Sequence, residues 1–385
     1  MKIVYCTKNL SLTGGIEHIT IEKANAFSQI NGNEVWIAVE KDNGHYAFSI
    51  DSRVHIANLD VDYNENVWGK SRFHQFVLHF AKRKIHKRKI EKFLDTIKPD
   101  IVISTNGIEK IFLSSLSRSC PAVFIREIHT ESNSRINNTK SLFDKIIAWV
   151  GTWYDYKIAI KRYDQIVIST NEDKERCWKD NKKVCVIPNF VSNHQTIPSS
   201  LNNKIVIAVG RLVFYKNFAS LIRSWSYVHR LHPDWRLDIY GDGYMKKELM
   251  SQINDLGLQD AVFLMGGTND LFSKYLNSSV FVMSSLYEGM PLVMLEAMSC
   301  GLPVVSYAFP CGPKDIINNG EDGFLIPVGD EQMMAEQINY LIEHEDVRRN
   351  MGVAALEKSK QYSMDIIFKK WMSLFTELVN KKTRK

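Results

Sequence analysis

Ten short runs of β-branched and other apolar residues recur along this chain, and they constrain its fold more than any other feature. They are "KIVYC" (2–6), "EVWIAVE" (34–40), "DIVIST" (100–105), "AVFIRE" (122–127), "QIVIST" (165–170), "KIVIAVG" (204–210), "RLDIYG" (236–241), "AVFLMG" (261–266), "VFVMSS" (280–285) and "LPVVSY" (302–307). Between them lie amphipathic stretches with helical spacing, such as 16–30, 217–231 and 244–256. Apolar strands alternating with helices specify parallel sheets covered on both faces. Ten strands are many for one sheet, and 385 residues are long for one core, so the pattern predicts an α/β chain of two doubly wound domains. The most polar, turn-rich segment, "FVSNHQTIPSSLNN" (190–203), marks the boundary. It separates a first domain, 1–190, from a second, 191–362. The remainder, 363–385, reads as an amphipathic helix with a basic tail, opened by Ser363 as cap and Asp365 in its first turn.

Composition narrows the function classes. A hydrophobic fraction of 45% with 24% charged residues belongs to a folded protein. No apolar run reaches the roughly 18 residues needed to span a bilayer, and the apolar part of the N-terminus is too short for a signal peptide. The expected place is therefore the cytoplasm, at most attached to a membrane surface. Cys6, Cys120, Cys177, Cys185, Cys300 and Cys311 are scattered and form no C-x-x-C pair, which points away from zinc and disulfide frameworks. The net charge of +6 is concentrated in "KRKIHKRKIEKFLDTIK" (82–98), preceded by the bulky "FHQFVLHF" (73–80). This stretch reads either as a solvated helix with one core face or as an interfacial helix drawn to anionic headgroups. No nucleic-acid-binding signature accompanies it, so no nucleic acid partner is expected.

The densest chemistry lies in "LYEGMPLVMLEAMSCGLPVV" (286–305), where Glu288 and Glu296 stand eight positions apart. Pro291 suits the first turn of a helix, and Gly301 and Pro303 stop it, so 291–299 is expected to be a short helix behind a strand-to-helix loop. In a doubly wound sheet such a loop lies at the carboxyl edge, where ligands bind. Glu296, among Leu292, Val293, Met294, Leu295, Ala297 and Met298, would be costly if buried and unpaired. Two neighbouring hydroxyls of a ligand, such as a ribose, would satisfy it, and so would a salt bridge. "AVGRLVFYKNF" (208–218) sets Arg211 and Lys216 behind another strand, where two cations can clamp a diphosphate. Gly14 and Gly15 follow the first strand, as either a close ligand approach or a plain turn. His129 follows the "FIREI" strand beside Arg126 and Glu127, a position equally open to a structural role. "YGDG" (240–243) lacks the third glycine of a dinucleotide fingerprint, so no NAD is expected. Asp60-x-Asp62 is too common a pattern to indicate a metal, and none is expected.

Taken together, the Glu288/Glu296 pair, "GRLVFYKN", "IPNFV" (187–191), "YGDG", "EGMPLVMLEAMSCGLPVV" and Gly14-Gly15 with Glu17 resemble family 4 of the retaining glycosyltransferases, of the bacterial surface-polysaccharide type. The resemblance covers nearly the whole chain and is strongest over 204–330. It implies the GT-B architecture, two Rossmann-like domains facing each other across a cleft, with the last helix returning to the first domain. It implies transfer of a hexosyl group from a nucleoside-diphosphate sugar, in particular a UDP-sugar, to a glycan or lipid-linked glycan acceptor, on the cytoplasmic face of the inner membrane. Carried over by position, Glu288 would contact donor-sugar hydroxyls and Glu296 the ribose. Gly289, Met290, Pro291, Leu292 and Val293 would present backbone to the sugar or diphosphate. Arg211 and Lys216 would hold the diphosphate, Gly14 and Gly15 would lie against the phosphates, and His129 would approach the transferred sugar. "FPCGPKDIINNGEDGFLIPVGD" (309–330) would support the donor pocket from behind. The family pattern departs after "IPN", where Phe190, Val191 and Ser192 stand, and after His129, where Thr130 and Glu131 follow. No cofactor or metal is implied. Competing readings are a sugar-nucleotide epimerase on the same plan and a silent donor- or lipid-binding scaffold subunit.

Overall fold

A computed structural model describes residues 1–12, 14–63, 65, 71–105, 107–130, 142–192 and 197–384. Thr13 of the glycine loop, residues 131–141 behind His129 and residues 193–196 of the boundary segment lie outside the described residues. The chain divides into two compact units, 1–169 with 177–187 and 369–385, and 170–176 with 188–368.

Each unit holds one parallel sheet. The first contains β1 (Lys2–Thr7), β2 (Glu34–Val39), β3 (Val54–Asn58), β4 (Ile101–Ser104), β5 (Val123–Ile128), β6 (Gln165–Ile168) and β7 (Val184–Val186), in the order β3-β2-β1-β4-β5-β6-β7. The second contains β8 (Ile205–Val209), β9 (Arg236–Tyr240), β10 (Val262–Gly266), β11 (Val280–Met283), β12 (Val304–Tyr307) and β13 (Gly323–Ile326), in the order β10-β9-β8-β11-β12-β13. All ten runs read from the sequence are strands, and the doubly wound α/β class holds. The strands that the reading missed, β3, β7 and β13, are all outermost in their sheets. Each is short, three to five residues, and partly solvated, so it stands out less from the loops beside it.

The helices that concern the argument are α1 (Gly15–Ser28), α2 (Arg72–Ile97), α3 (Leu142–Lys157), α4 (Phe218–Leu231), α5 (Lys246–Asp255), α6 (Leu292–Ser299) and α7 (Met364–Thr383). In α2 the stretch 73–97 is one helix, capped by Lys98, that buries His86, Ile90 and Leu94, while Val77, Phe80 and Ile85 stay exposed. Its cations also tie down the preceding loop, Lys89 donating to the Asp60 carbonyl at 2.8 Å. From Lys369 onward α7 belongs to the first unit, where Phe375 packs on Phe27 at 5.1 Å between ring centres.

One expectation is corrected in α6. Pro291 precedes the helix rather than opening it, with an extended ψ of 109°, and its carbonyl accepts from Met294 N at 3.3 Å. It is the cap residue, so its rigid φ shapes the loop instead of the first helical turn. The helix closes as expected. Gly301 takes φ +76°, and Leu302 N–H returns to the Ala297 carbonyl at 3.1 Å. Met294, Leu295, Ala297 and Met298 are fully buried, each of the larger ones contributing about 1.5–3 kcal/mol.

Candidate active site

Both sheets reverse their strand order at the first strand. β1 lies between β2 and β4, and β8 lies between β9 and β11. Loops leaving the two strands of such a switch point diverge and open a crevice at the carboxyl edge. In the second unit those loops are 210–217 behind β8, with Arg211 and Lys216, and 284–291 behind β11, with Glu288. The sequence assigned these residues to one site, and strand order brings them together.

Several bonds join the two loops. Leu286 N donates to the Tyr215 carbonyl at 2.8 Å, and Ser284 Oγ donates to the Lys216 carbonyl at 3.0 Å. The Lys216 ammonium forms an ion pair with Glu288 Oε1, which also accepts from Ser285 Oγ at 2.9 Å. Lys216 reaches there over Gly210, where a β-carbon would stand 3.1 Å from Lys216 Cε. Arg211 is exposed and turned onto Tyr215, with its guanidinium bonded to the phenol and 5.9 Å from the ring centre. Tyr215 in turn stacks on Tyr287 at 5.3 Å. Thus one cation is committed to a carboxylate, while the other lies on an aromatic pair that sequence reading overlooked.

Glu296, on α6, is buried. Its Oε2 accepts from the Tyr275 hydroxyl at 3.2 Å, and that hydroxyl also lies 3.3 Å from the Val293 carbonyl. Its partner in the protein is thus a neutral hydroxyl rather than a cation, and that one bond does not offset the burial. Burial pushes the Glu296 carboxyl up to about 7, with the Tyr275 bond acting in the opposite sense.

The loop of Gly289, Met290 and Pro291 is held from two sides. Asn189 Nδ2 donates to the Met290 carbonyl at 3.1 Å. Gly312, at φ +152°, passes so close that a β-carbon would stand 2.8 Å from the Gly289 carbonyl oxygen and from Pro291 Cδ. Leu292 and Val293 form the first turn of α6, whose free N–H groups and dipole favour an anion. "YGDG", passed over as a fingerprint, has a different use. A side chain at Gly241 or Gly243 would collide with the backbone of Gly210 or Leu212, so these glycines let 241–243 lie against the Arg211 loop.

The remaining expected residues are in the first unit. Gly14 caps α1 and Gly15 begins it, and the bare Gly14 leaves room for the Glu17 carboxylate folded back over it. His129 follows β5, with Nε2 3.3 Å from Glu127 Oε1. The same carboxylate pairs with the Lys23 ammonium, which lies 4.5 Å from the centre of the Trp371 ring. Burial opposes charge on Glu127, but Lys23 and His129 outweigh it and hold the carboxyl down at about 2. Arg126 turns instead to Ser104 and Thr105, with Nη1 3.2 Å from Ser104 Oγ. Among the described residues no cluster of His, Cys, Asp and Glu is arranged to hold a metal.

Comparison with known proteins follows the same lines. An exopolysaccharide phosphotransferase of Streptomyces coelicolor is 32% identical over 76% of this chain, though the chain spans only 30% of that protein. The Campylobacter jejuni enzyme named GalNAc-alpha-(1->4)-GalNAc-alpha-(1->3)-diNAcBac-PP-undecaprenol alpha-1,4-N-acetyl-D-galactosaminyltransferase is 24% identical over 99% of both chains. Anabaena HepE, solved in complex with UDP, superimposes with a TM-score of 0.76 over 98% of this chain and all of that one at 17% identity, a likeness of fold. Residues 191–358, which contain Arg211, Lys216, Glu288 and Glu296, match the family model of glycosyl transferases group 1. With that match over the second unit, these relatives and a Rossmann-like sheet in each unit, the chain is similar to the group 1 glycosyl transferases and has the GT-B fold.

Proposed function

We propose that the protein transfers a hexosyl group from a nucleoside-diphosphate sugar to a hydroxyl of a glycan or lipid-linked glycan in polysaccharide biosynthesis, retaining the anomeric configuration. The observation that carries this reading is the meeting of Arg211, Lys216 and Glu288 at the switch point of the second sheet, with Glu296 in the helix behind. Two cations beside a helix N-terminus match a diphosphate, and two carboxylates match the hydroxyls of a sugar and a ribose. The uridine form is proposed because a protein of the same fold was solved with UDP. The lipid-linked acceptor follows the undecaprenol-linked substrate in the name of the Campylobacter relative. No helix among the described residues is long and apolar enough to cross a membrane, so such an acceptor would be met at a surface. The exposed Val77, Phe80, Lys84 and Arg88 of α2 suit that contact on the cytoplasmic face.

In the proposed step the acceptor oxygen bonds to the anomeric carbon as the bond to the diphosphate oxygen breaks, on the same face of the ring. The acceptor proton passes to the departing phosphate oxygen. Lys216 and Arg211 stabilise the charge that grows on the diphosphate, in place of a metal. The Lys216–Glu288 pair gives this stabilisation a switch-like aspect. Before donor binds, Glu288 neutralises Lys216, and donor must draw the ammonium towards phosphate while sugar hydroxyls take its place on Glu288. Gly14, Gly15 and His129 are assigned the first unit's share of the phosphates and sugar. No cofactor or metal is required in this scheme.

A screen of UDP-, GDP- and ADP-sugars for turnover tests the reading. Arg211→Ala and Lys216→Ala should each lower kcat/KM by about 10²–10³-fold with little change in melting temperature, and EDTA should leave turnover intact. Near-normal rates in both variants would overturn the assignment. Conversion of donor to a second nucleotide sugar without acceptor would indicate an epimerase.

A further inference from the structure

The least explained surface of the first unit is α3. Ile146, Trp149, Val150 and Trp153 are 54%, 58%, 50% and 48% exposed. Their spacing of three and four residues puts them on one stripe of the helix. A soluble protein seldom leaves two tryptophans half in water on one helix face. On the far side of the helix Asp155 is buried and paired with Lys110 at 4.0 Å, while Tyr156, at the edge of the stripe, packs on Trp178 at 5.1 Å.

Charge identifies what covers the stripe. Lys145 and Lys157 flank it along the helix, and Lys161 and Arg162 follow; all four are exposed. Between 145 and 162 the one acidic residue is the buried Asp155. The face is therefore apolar and aromatic along its middle and cationic at its borders. Tryptophan with a polar N–H on an apolar body, flanked by lysines that snorkel, matches the boundary between acyl chains and anionic headgroups. Area separates this occupant from a protein partner. The stripe offers on the order of 400 Å² of apolar side chain, about half of the ~800 Å² that each side of a standard protein interface buries.

We propose that α3 is an interfacial helix that seats the first unit on an anionic lipid surface, with Trp149 and Trp153 entering the headgroup layer. The proposal rests on the reading above that the acceptor is carried by a lipid, and it assigns the insertion to α3. Helix α2 adds mainly long-range attraction, because its exposed stripe turns from apolar to basic along its length.

The test is co-sedimentation of the full chain with vesicles of phosphatidylglycerol and phosphatidylethanolamine, and with vesicles of phosphatidylcholine alone. Wild-type protein should partition into the anionic vesicles, less so at high salt. Trp149→Ser with Trp153→Ser should lower the partition coefficient at least tenfold, and Lys145→Glu with Lys157→Glu several-fold. Melting temperatures of both variants should stay near wild type, because the altered side chains face water. Sedimentation of the double-serine variant equal to wild type would overturn the proposal. So would wild-type protein that stays in the supernatant with every vesicle. A wild-type dimer that the same variant converts to monomer, without vesicle binding, would reassign the face to a second copy of the chain. Donor turnover measured without vesicles reports on the glycosyltransferase reading separately, since its absence in wild type would count against that reading and leave the vesicle result standing.

Discussion

At the scale of single residues, Glu296 carries the sharpest consequence. Its folded carboxyl titrates near 7, against about 4.5 for an unconstrained glutamate. Between those values the folded state holds the proton that the unfolded chain has released, so stability falls as pH rises through this window. The full cost is present above 7 and absent below 4.5. Glu296→Gln keeps an acceptor for Tyr275 and removes the buried charge. It should raise stability at pH 8 by on the order of 1–3 kcal/mol relative to wild type, with no gain at pH 4.5. Thermal melts of both proteins across pH would show it, and the difference between them isolates Glu296 from Glu40 and Glu109, which burial also pushes up to about 7. An equal gain at all pH values would remove the buried carboxylate as its cause. The same change should weaken donor binding, because ribose hydroxyls bind an ionised carboxylate more strongly than an amide. Glu296 was legible in the sequence because a charge inside an apolar helical run is conspicuous, and Glu288 because it stands in the strand-to-helix loop just ahead of that run. Tyr275 was not, since it sits 21 residues away and a tyrosine among apolar neighbours signals nothing by itself.

At the scale of elements, the loop ahead of α6 depends on a backbone passing behind it. A methyl group at Gly312 would press on the Gly289 carbonyl and on Pro291 Cδ, and φ +152° strains any L side chain there. Gly312→Ala should therefore cost about 1–3 kcal/mol and, by displacing the loop of Glu288, weaken donor binding at least tenfold. Gly320→Ala supplies the control. Its φ of +85° is also unfavourable, yet nothing lies within 4 Å of the added carbon, so donor affinity should be unchanged. Calorimetric titration of UDP-sugar into both variants separates the outcomes, and equal affinities would show that Gly312 does not brace the loop. The segment 309–330 was expected to support the pocket from its resemblance alone. The glycines of "YGDG" were passed over because their use is close approach to the 210–212 backbone, which is a tertiary fact.

At the scale of the whole molecule, the chain passes between its two units at 169/170, 176/177, 187/188 and 368/369, so α7 is integral to the first unit rather than an appended tail. Trp371, 2% exposed, covers the Lys23 ammonium, and Lys382 bonds to Asp164 at 2.9 Å. Trp371→Ala should destabilise the protein by about 3–5 kcal/mol, more than its cavity alone would suggest if water then reaches the Lys23–Glu127 pair. Chemical denaturation would measure it, and a loss below 1 kcal/mol would show that α7 is not needed by that core. Local sequence specifies the alternation of strand and helix, the presence of two sheets, and the carboxylates and cations of the second unit. Those features follow from local periodicity, from burial of one face and from charge placed against an apolar background, all properties of short stretches of chain. Tertiary structure alone decided the partners: Lys216 with Glu288, Tyr275 with Glu296, and Lys23 with Glu127 across 104 positions. Each partnership depends on which strands became neighbours in a sheet, and strand order is fixed by packing of the whole unit rather than by any segment within it.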